Sequence, residues 1–256
     1  SGGDLNIGGE NITNNHLIYA YGNNNITAAS LINNGTLEIG GAFSANLTTS
    51  LRNQGNITSL GELNIIASSL HNSGQVASVS KFSADLSQKV ENTGLFKSAT
   101  DIVIKAQEID NQQQIISLSD LSLTATKVTN SGILSSGDSA SLESVSQLSI
   151  IGDTLKNSGI LASIGSSNIS GSSIYNTSEG QIYSQDALAL ESISFHNEGN
   201  LLFAGDTVLT LTDFQNEGIM SASKSLSLLS ETLENDGRIE ALENLNAAIK
   251  NDPSND

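Results

Sequence analysis

The chain has 256 residues with no cysteine, and its 27 acids against 10 Lys and Arg give a formal net charge of −17; disulfide frameworks and thiolate metal sites are excluded, and nucleic-acid binding is disfavoured because a polyanion is repelled. A hydrophobic fraction of 37% with 4% aromatics and no Trp predicts a thin core of Leu, Ile, Val and Ala. No run approaches the roughly 18–20 apolar residues of a membrane span, so no membrane insertion is expected, and Ser1-Gly2-Gly3-Asp4-Leu5 does not read as a signal peptide.

From the amino-terminal end onward one phrase recurs: apolar, any, Asn, any, Gly, any, apolar, any, small. It reads Leu31-Ile32-Asn33-Asn34-Gly35-Thr36-Leu37, then Leu51-Arg52-Asn53-Gln54-Gly55-Asn56-Ile57, then Leu70-His71-Asn72-Ser73-Gly74-Gln75-Val76. Its Asn falls at Asn14, Asn33, Asn53, Asn72, Asn92, Asn111, Asn130, Asn157, Asn176, Asn197, Asn216 and Asn235. By subtraction most steps are 19 or 20 residues; Asn130 to Asn157 is 27 and Asn176 to Asn197 is 21. Two places before the Asn all twelve copies are apolar, from Ile12 and Leu31 through Phe195, Phe214 and Leu233.

Between these phrases lies a second segment with period-two alternation, as in Glu62-Leu63-Asn64-Ile65-Ile66, Asp120-Leu121-Ser122-Leu123 and Ser225-Leu226-Ser227-Leu228. Alternation is the mark of a strand. Each repeat is two or three short strands separated by polar turns, too small to bury its apolar row unless the next repeat stacks on it. Helix is a poor alternative, since only Leu242 to Lys250 has any helical spacing. The expected fold is all-β, a parallel β-helix of about twelve coils of 19–20 residues over 1–250. The array starts mid-pattern, so the chain is expected to be a piece of a longer protein.

Gly stands two places after the Asn in nine copies, at Gly35, Gly55, Gly74, Gly94, Gly132, Gly159, Gly199, Gly218 and Gly237. A turn that needs positive φ is the expected reason. His16 and Gln113 stand there in two other copies, His16 as a strained substitute, and in Asn176-Thr177-Ser178-Glu179-Gly180 the Gly is displaced by two residues. The Asn side chains are expected to hydrogen-bond along a column, as amide ladders do in cross-β structures. The long step holds about eight extra residues within Ser135 to Asp153, expected as a loop on one face and the first place to look for a partner contact. The phrase Ile249-Lys250-Asn251-Asp252-Pro253 arrives early and puts Pro where Gly is due, so 251–256 is expected to be the end of the array or the start of another segment.

The repeat, apolar-x-Asn-x-Gly-x-Ile-x-Ser/Ala followed by Leu-x-Leu, resembles the filamentous haemagglutinin repeat of Gram-negative two-partner secretion exoproteins and covers nearly the whole chain. The resemblance implies a right-handed parallel β-helix, passage through a dedicated outer-membrane transporter, and a secreted or cell-surface filament used in adhesion or contact-dependent growth inhibition. It also implies a cell-surface receptor or glycan as the eventual target. A shaft segment that presents other domains is the leading expectation; a segment that itself binds a receptor or glycan is the alternative, and a β-helical carbohydrate enzyme the third.

Chemistry is sparse. His16, His71 and His196 occur singly, the last two directly before the repeat's Asn, and read as structural. No catalytic residues, cofactor or metal site are expected. A carboxylate cluster beside stacked Tyr on one face would favour the enzyme. Gly2-Gly3-Asp4, Gly137-Asp138, Gly152-Asp153 and Gly205-Asp206 do not recur at nine residues as a calcium-binding β-roll requires, and read as turns. Asn-x-Ser/Thr at Asn11, Asn25, Asn46, Asn56, Asn168 and Asn176 is what an Asn- and Ser-rich chain yields by chance.

Overall fold

The structure, a computed structural model, describes residues 2–138 and 146–250. Among the described residues there is no helix, and parallel strands stack as a β-solenoid of about 13 coils. The chain divides into two compact units, Ser1–Ala125 and Thr126–Asp256.

In the first unit most coils consist of one long strand and one short strand; in two of them the long strand is split, into Leu5–Gly8 and Asn11–Asn14 and into Ile102–Lys105 and Glu108–Asn111. The long strands Asn24–Asn33, Phe43–Asn53, Leu63–Asn72 and Phe82–Asn92 pair in parallel. The short strands Thr36–Ile39, Asn56–Ser59, Gln75–Ser78, Leu95–Ser98 and Gln114–Ser117 form the other wall. The alternation of 19- and 20-residue steps has a local cause. Phe43–Asn53 pairs with the strand before it at a step of 19 up to Ala28↔Leu47 and of 20 from Ser30↔Ser50 onward. The extra residue is taken up as a bulge in mid-strand, so both corners stay in register. The same shift recurs between Leu86 and Lys89.

The second unit repeats the plan with long strands Gln147–Asn157, Ser166–Asn176, Leu188–Asn197 and Thr207–Asn216. Short strands Ile160–Ser163, Gln181–Ser184, Asn200–Phe203 and Ile219–Ala222 pair in turn. The two-residue insertion after Asn176 is confined to the turn, where Gly180 N–H donates to Thr177 O at 2.8 Å, and Ile182 pairs with Leu161 as the shifted phrase requires.

Period-two alternation puts one row of each strand inside. Leu31, Leu51, Leu70, Val90 and Ile109 form one buried column of the first unit, facing Leu37, Ile57, Val76, Phe96 and Ile115. Leu155, Ile174, Phe195 and Phe214 are their counterparts in the second, and the Phe195 and Phe214 rings stack at 5.3 Å. A parallel in-register array keeps like side chains on like, which suits a core of aliphatic residues with few aromatics.

At the corner after each long strand the Asn side chain turns inward and is buried. In the first unit Nδ2 of Asn14, Asn33, Asn53, Asn72 and Asn92 donates to Oδ1 of the next Asn at 2.7–2.9 Å, Asn92 to Asn111 among them. In the second, Asn130, Asn157, Asn176, Asn197 and Asn216 do the same as far as Asn235. The second amide hydrogen serves the backbone: Asn53 Nδ2 also donates to Gly55 O and Gln75 O, both at 3.0 Å. Buried amides are thereby satisfied by the adjacent coil and by their own turn.

The glycines beside this column are not in left-handed conformation. Among the described residues the one positive φ belongs to Gly137, at 90°, and no other residue type has one. The cause of the Gly is close approach instead. A Cβ at Gly55 would overlap the carbonyl oxygen of Gly35, one at Gly74 that of Gly55, and one at Gly218 that of Gly199. At these glycines the turns stack so tightly that only a hydrogen fits, and His16, whose φ is not positive, is not the strained left-handed substitute expected. At Gln113 the Asn111 amide still reaches the carbonyl, at 3.0 Å.

One further expectation changes and others are narrowed. The extra residues of the long step lie between Ser136, which ends a short strand paired with Ser163, and Leu148, which pairs with Ser167; Gly137 opens that stretch, and 139–145 lie outside the described residues. Gly152-Asp153 sits within the strand Gln147–Asn157 and is no turn. Leu245–Ile249, in the stretch that alone had helical spacing, is a strand whose Ile249 pairs with Ser230. Residues 251–256 lie outside the described residues.

Candidate functional site

The residue directly before each buried Asn points outward, and in-register pairing stacks these residues into a column with a spacing of about 4.8 Å. In the second unit the column runs Lys156, Tyr175, His196, Gln215, Glu234. The Tyr175 and His196 rings stack with centroids 5.1 Å apart, and Lys156 Nζ lies 5.7 Å from the Tyr175 centroid.

The residue directly after the Asn begins the turn, alongside this column. Glu198 and Glu217 stand there in successive coils, held by Glu198 N–H to Asn176 O and Glu217 N–H to Asn197 O, each 2.8 Å. Tyr175 Oη donates to Glu198 Oε1 at 2.6 Å. His196 Nε2 lies 3.1 Å from Glu217 Oε1 and 3.8 Å from Glu198 Oε1. The hydrogen bond to Glu198 holds the Tyr175 phenol above its ordinary pKa of 10.0, with desolvation and the charges of Glu198 and Glu217 adding to it. One imidazole nitrogen and two carboxylate oxygens thus converge within 4.8 Å of one another on a half-buried to exposed surface, the one such group of three among the described residues.

The other histidines are placed differently. His71 Nδ1 is 3.3 Å from Glu91 Oε2, its pairing partner in the next coil, and among the described residues no group of three forms around it. His16 uses its backbone, its N–H donating to Asn14 Oδ1 at 3.3 Å. Asn176 is fully buried in the ladder, so its Asn-x-Ser triplet cannot accept a glycan. Asp206 caps a turn, its Oδ1 accepting from Ser225 N–H at 3.2 Å.

Spacing along the chain concealed the His196 set, because Glu217 is 21 residues from His196. The usable signal is position within the repeat: His one place before the Asn, Glu one place after it, and Glu again after the next Asn. A second column was also missed. The small residue that closes the phrase is Ser in successive coils, and its buried hydroxyl donates across coils, Ser59 Oγ to Gly41 O and Ser78 Oγ to Gly61 O, both at 2.8 Å.

No helix of the described residues is long and apolar enough to cross a membrane. No family model matches the chain, and no curated protein or solved structure matches it either.

Proposed function

We propose that this chain is a structural segment of the shaft of a large secreted filament, of the filamentous haemagglutinin type, that presents adhesive or toxin domains at the surface of a Gram-negative bacterium. The observation that carries the reading is the Asn corner. Each coil's buried amide is satisfied by the coil beside it, as in Asn53 to Asn72 at 2.8 Å, so the unit has meaning only as a member of an array that can be lengthened. The repeat phrase resembles that family, and an outer-membrane two-partner secretion transporter is its proposed route out. The receptor or glycan belongs, in this reading, to domains carried by the shaft, and the surface of the segment itself is non-catalytic.

One observation favours the enzyme reading: Glu198 and Glu217 lie beside Tyr175. Their existing hydrogen bonds speak against it, since the two acids of a glycosidase must be available to the sugar and to water. Each is already engaged, by Tyr175 and by His196.

Removal of one coil in register tests the proposal. Deleting Gln54–Asn72 joins Asn53 to Ser73 and restores the phrase, because the ladder step between those Asn residues is 19. Displayed from a cell through such a transporter with a carboxy-terminal epitope, the shortened chain is expected to reach the surface as well as the full one. Neither version should bind target cells or a glycan panel. Saturable binding by the full chain alone would replace the shaft with the receptor-binding alternative.

A further inference from the structure

We infer that His196 Nε2, Glu198 Oε1 and Glu217 Oε1 bind a single borderline divalent cation, Zn²⁺ in the first instance, that staples two consecutive coils of the second unit. The ligands come from both coils: His196 and Glu198 flank Asn197, and Glu217 follows Asn216 on the neighbouring turn.

Geometry is the first argument. A tetrahedral zinc with ligands at about 2.0–2.1 Å sets them about 3.3 Å apart. The separations of 3.1 Å and 3.8 Å from His196 bracket that value, and all three donor atoms fall within 4.8 Å. Ordinary side-chain adjustment closes the remainder, and a water would complete the shell.

Preorganisation is the second. The His196 ring is held by its stack on Tyr175, and the Glu198 carboxylate by the Tyr175 hydroxyl. Outer partners of this kind orient metal ligands and are worth about 10–100-fold in affinity. Electrostatics is the third. Like charges on adjacent strands repel, and an imidazole can donate Nε2–H well to one carboxylate only, here Glu217 at 3.1 Å. A divalent ion neutralises both acids at once. The imidazole nitrogen selects a borderline ion over Ca²⁺ or Mg²⁺, which prefer all-oxygen shells.

The full chain, carrying no oligohistidine tag, is titrated with Zn²⁺ by calorimetry, and with Ca²⁺ and Mg²⁺ in parallel. One equivalent of Zn²⁺ is expected to bind. His196→Gln and Glu217→Gln should each weaken binding by about tenfold or more, while His71→Gln, in the same column of the first unit, leaves it unchanged. Metal-free variants are checked against the unsubstituted chain by circular dichroism and melting. On the unsubstituted chain, histidine ring resonances report the site without any substitution: those of His196 should shift and those of His16 and His71 should not. No uptake of Zn²⁺, uptake that survives His196→Gln, or displacement of Zn²⁺ by equal Ca²⁺ would each overturn the assignment, the last by reducing it to diffuse attraction toward an acidic surface.

Discussion

The two units share a backbone plan and differ in what they hang on it. In the first unit the outward column beside the Asn ladder runs Thr13, Ile32, Arg52, His71, Glu91, Asp110, and the place directly after the Asn holds uncharged residues, Asn34, Gln54, Ser73, Thr93 and Gln112. In the second, the column carries Tyr175 and His196 and the place after the Asn turns acidic, at Glu198, Glu217 and Asp236. His71 therefore meets one carboxylate and His196 meets two. Inward columns are constrained by stacking and vary little. Outward columns are free to vary, and their chemistry depends on which residues happen to fall in register.

The comparison is broken hardest at the ladder. Asn72→Ala in the first unit and Asn197→Ala in the second remove a buried amide that bonds both to the next Asn and to turn carbonyls. Each should cost about 2–4 kcal/mol through lost hydrogen bonds and the cavity left behind. Denaturant unfolding with hydrogen exchange localises the loss. A cost near zero in either unit would mean that the ladder is ornamental there.

The stacked glycines come next. Gly55→Ala and Gly218→Ala each push a methyl group against backbone, the carbonyls of Gly35 and Gly199, which cannot rotate away. About 1–3 kcal/mol is expected from overpacking, again alike in both units. If either substitution stabilises the protein, as replacing an unconstrained Gly does, the close-approach account fails.

The smallest effect has the opposite sign. Among the described residues the buried polar side-chain atoms without a hydrogen-bond partner belong to Asn24, Ser167 and Thr207. All three occupy the first inward place of a long strand, where neighbouring coils have Phe43, Leu188 and Leu226. Asn24→Leu and Thr207→Val should each stabilise by about 1–2 kcal/mol, since an unsatisfied polar group is exchanged for an apolar one of similar size. A drop in melting temperature for both would show that those polar atoms have a role the packing does not reveal.

Much of this molecule is decided by the one-dimensional pattern. A solenoid coil touches only its neighbours, so a phrase repeated every 19 or 20 residues implies its own stacking, and the inward Asn and the apolar residues such as Leu31, Leu51 and Leu70 follow from alternation. Three things were decided only in three dimensions. Whether Gly55 is needed for a left-handed turn or for room depends on how close the next turn lies, and the distance to the Gly35 carbonyl answers for room. A 20-residue coil keeps its corners aligned because the spare residue bulges out of the long strand, at Ala28 to Ser30 against Leu47 to Ser50. The meeting of His196 with Glu198 and Glu217 required the register itself: residues one coil apart become contacts about 4.8 Å apart only when parallel strands lie side by side, and no local property of the chain records which outward side chains will then face one another.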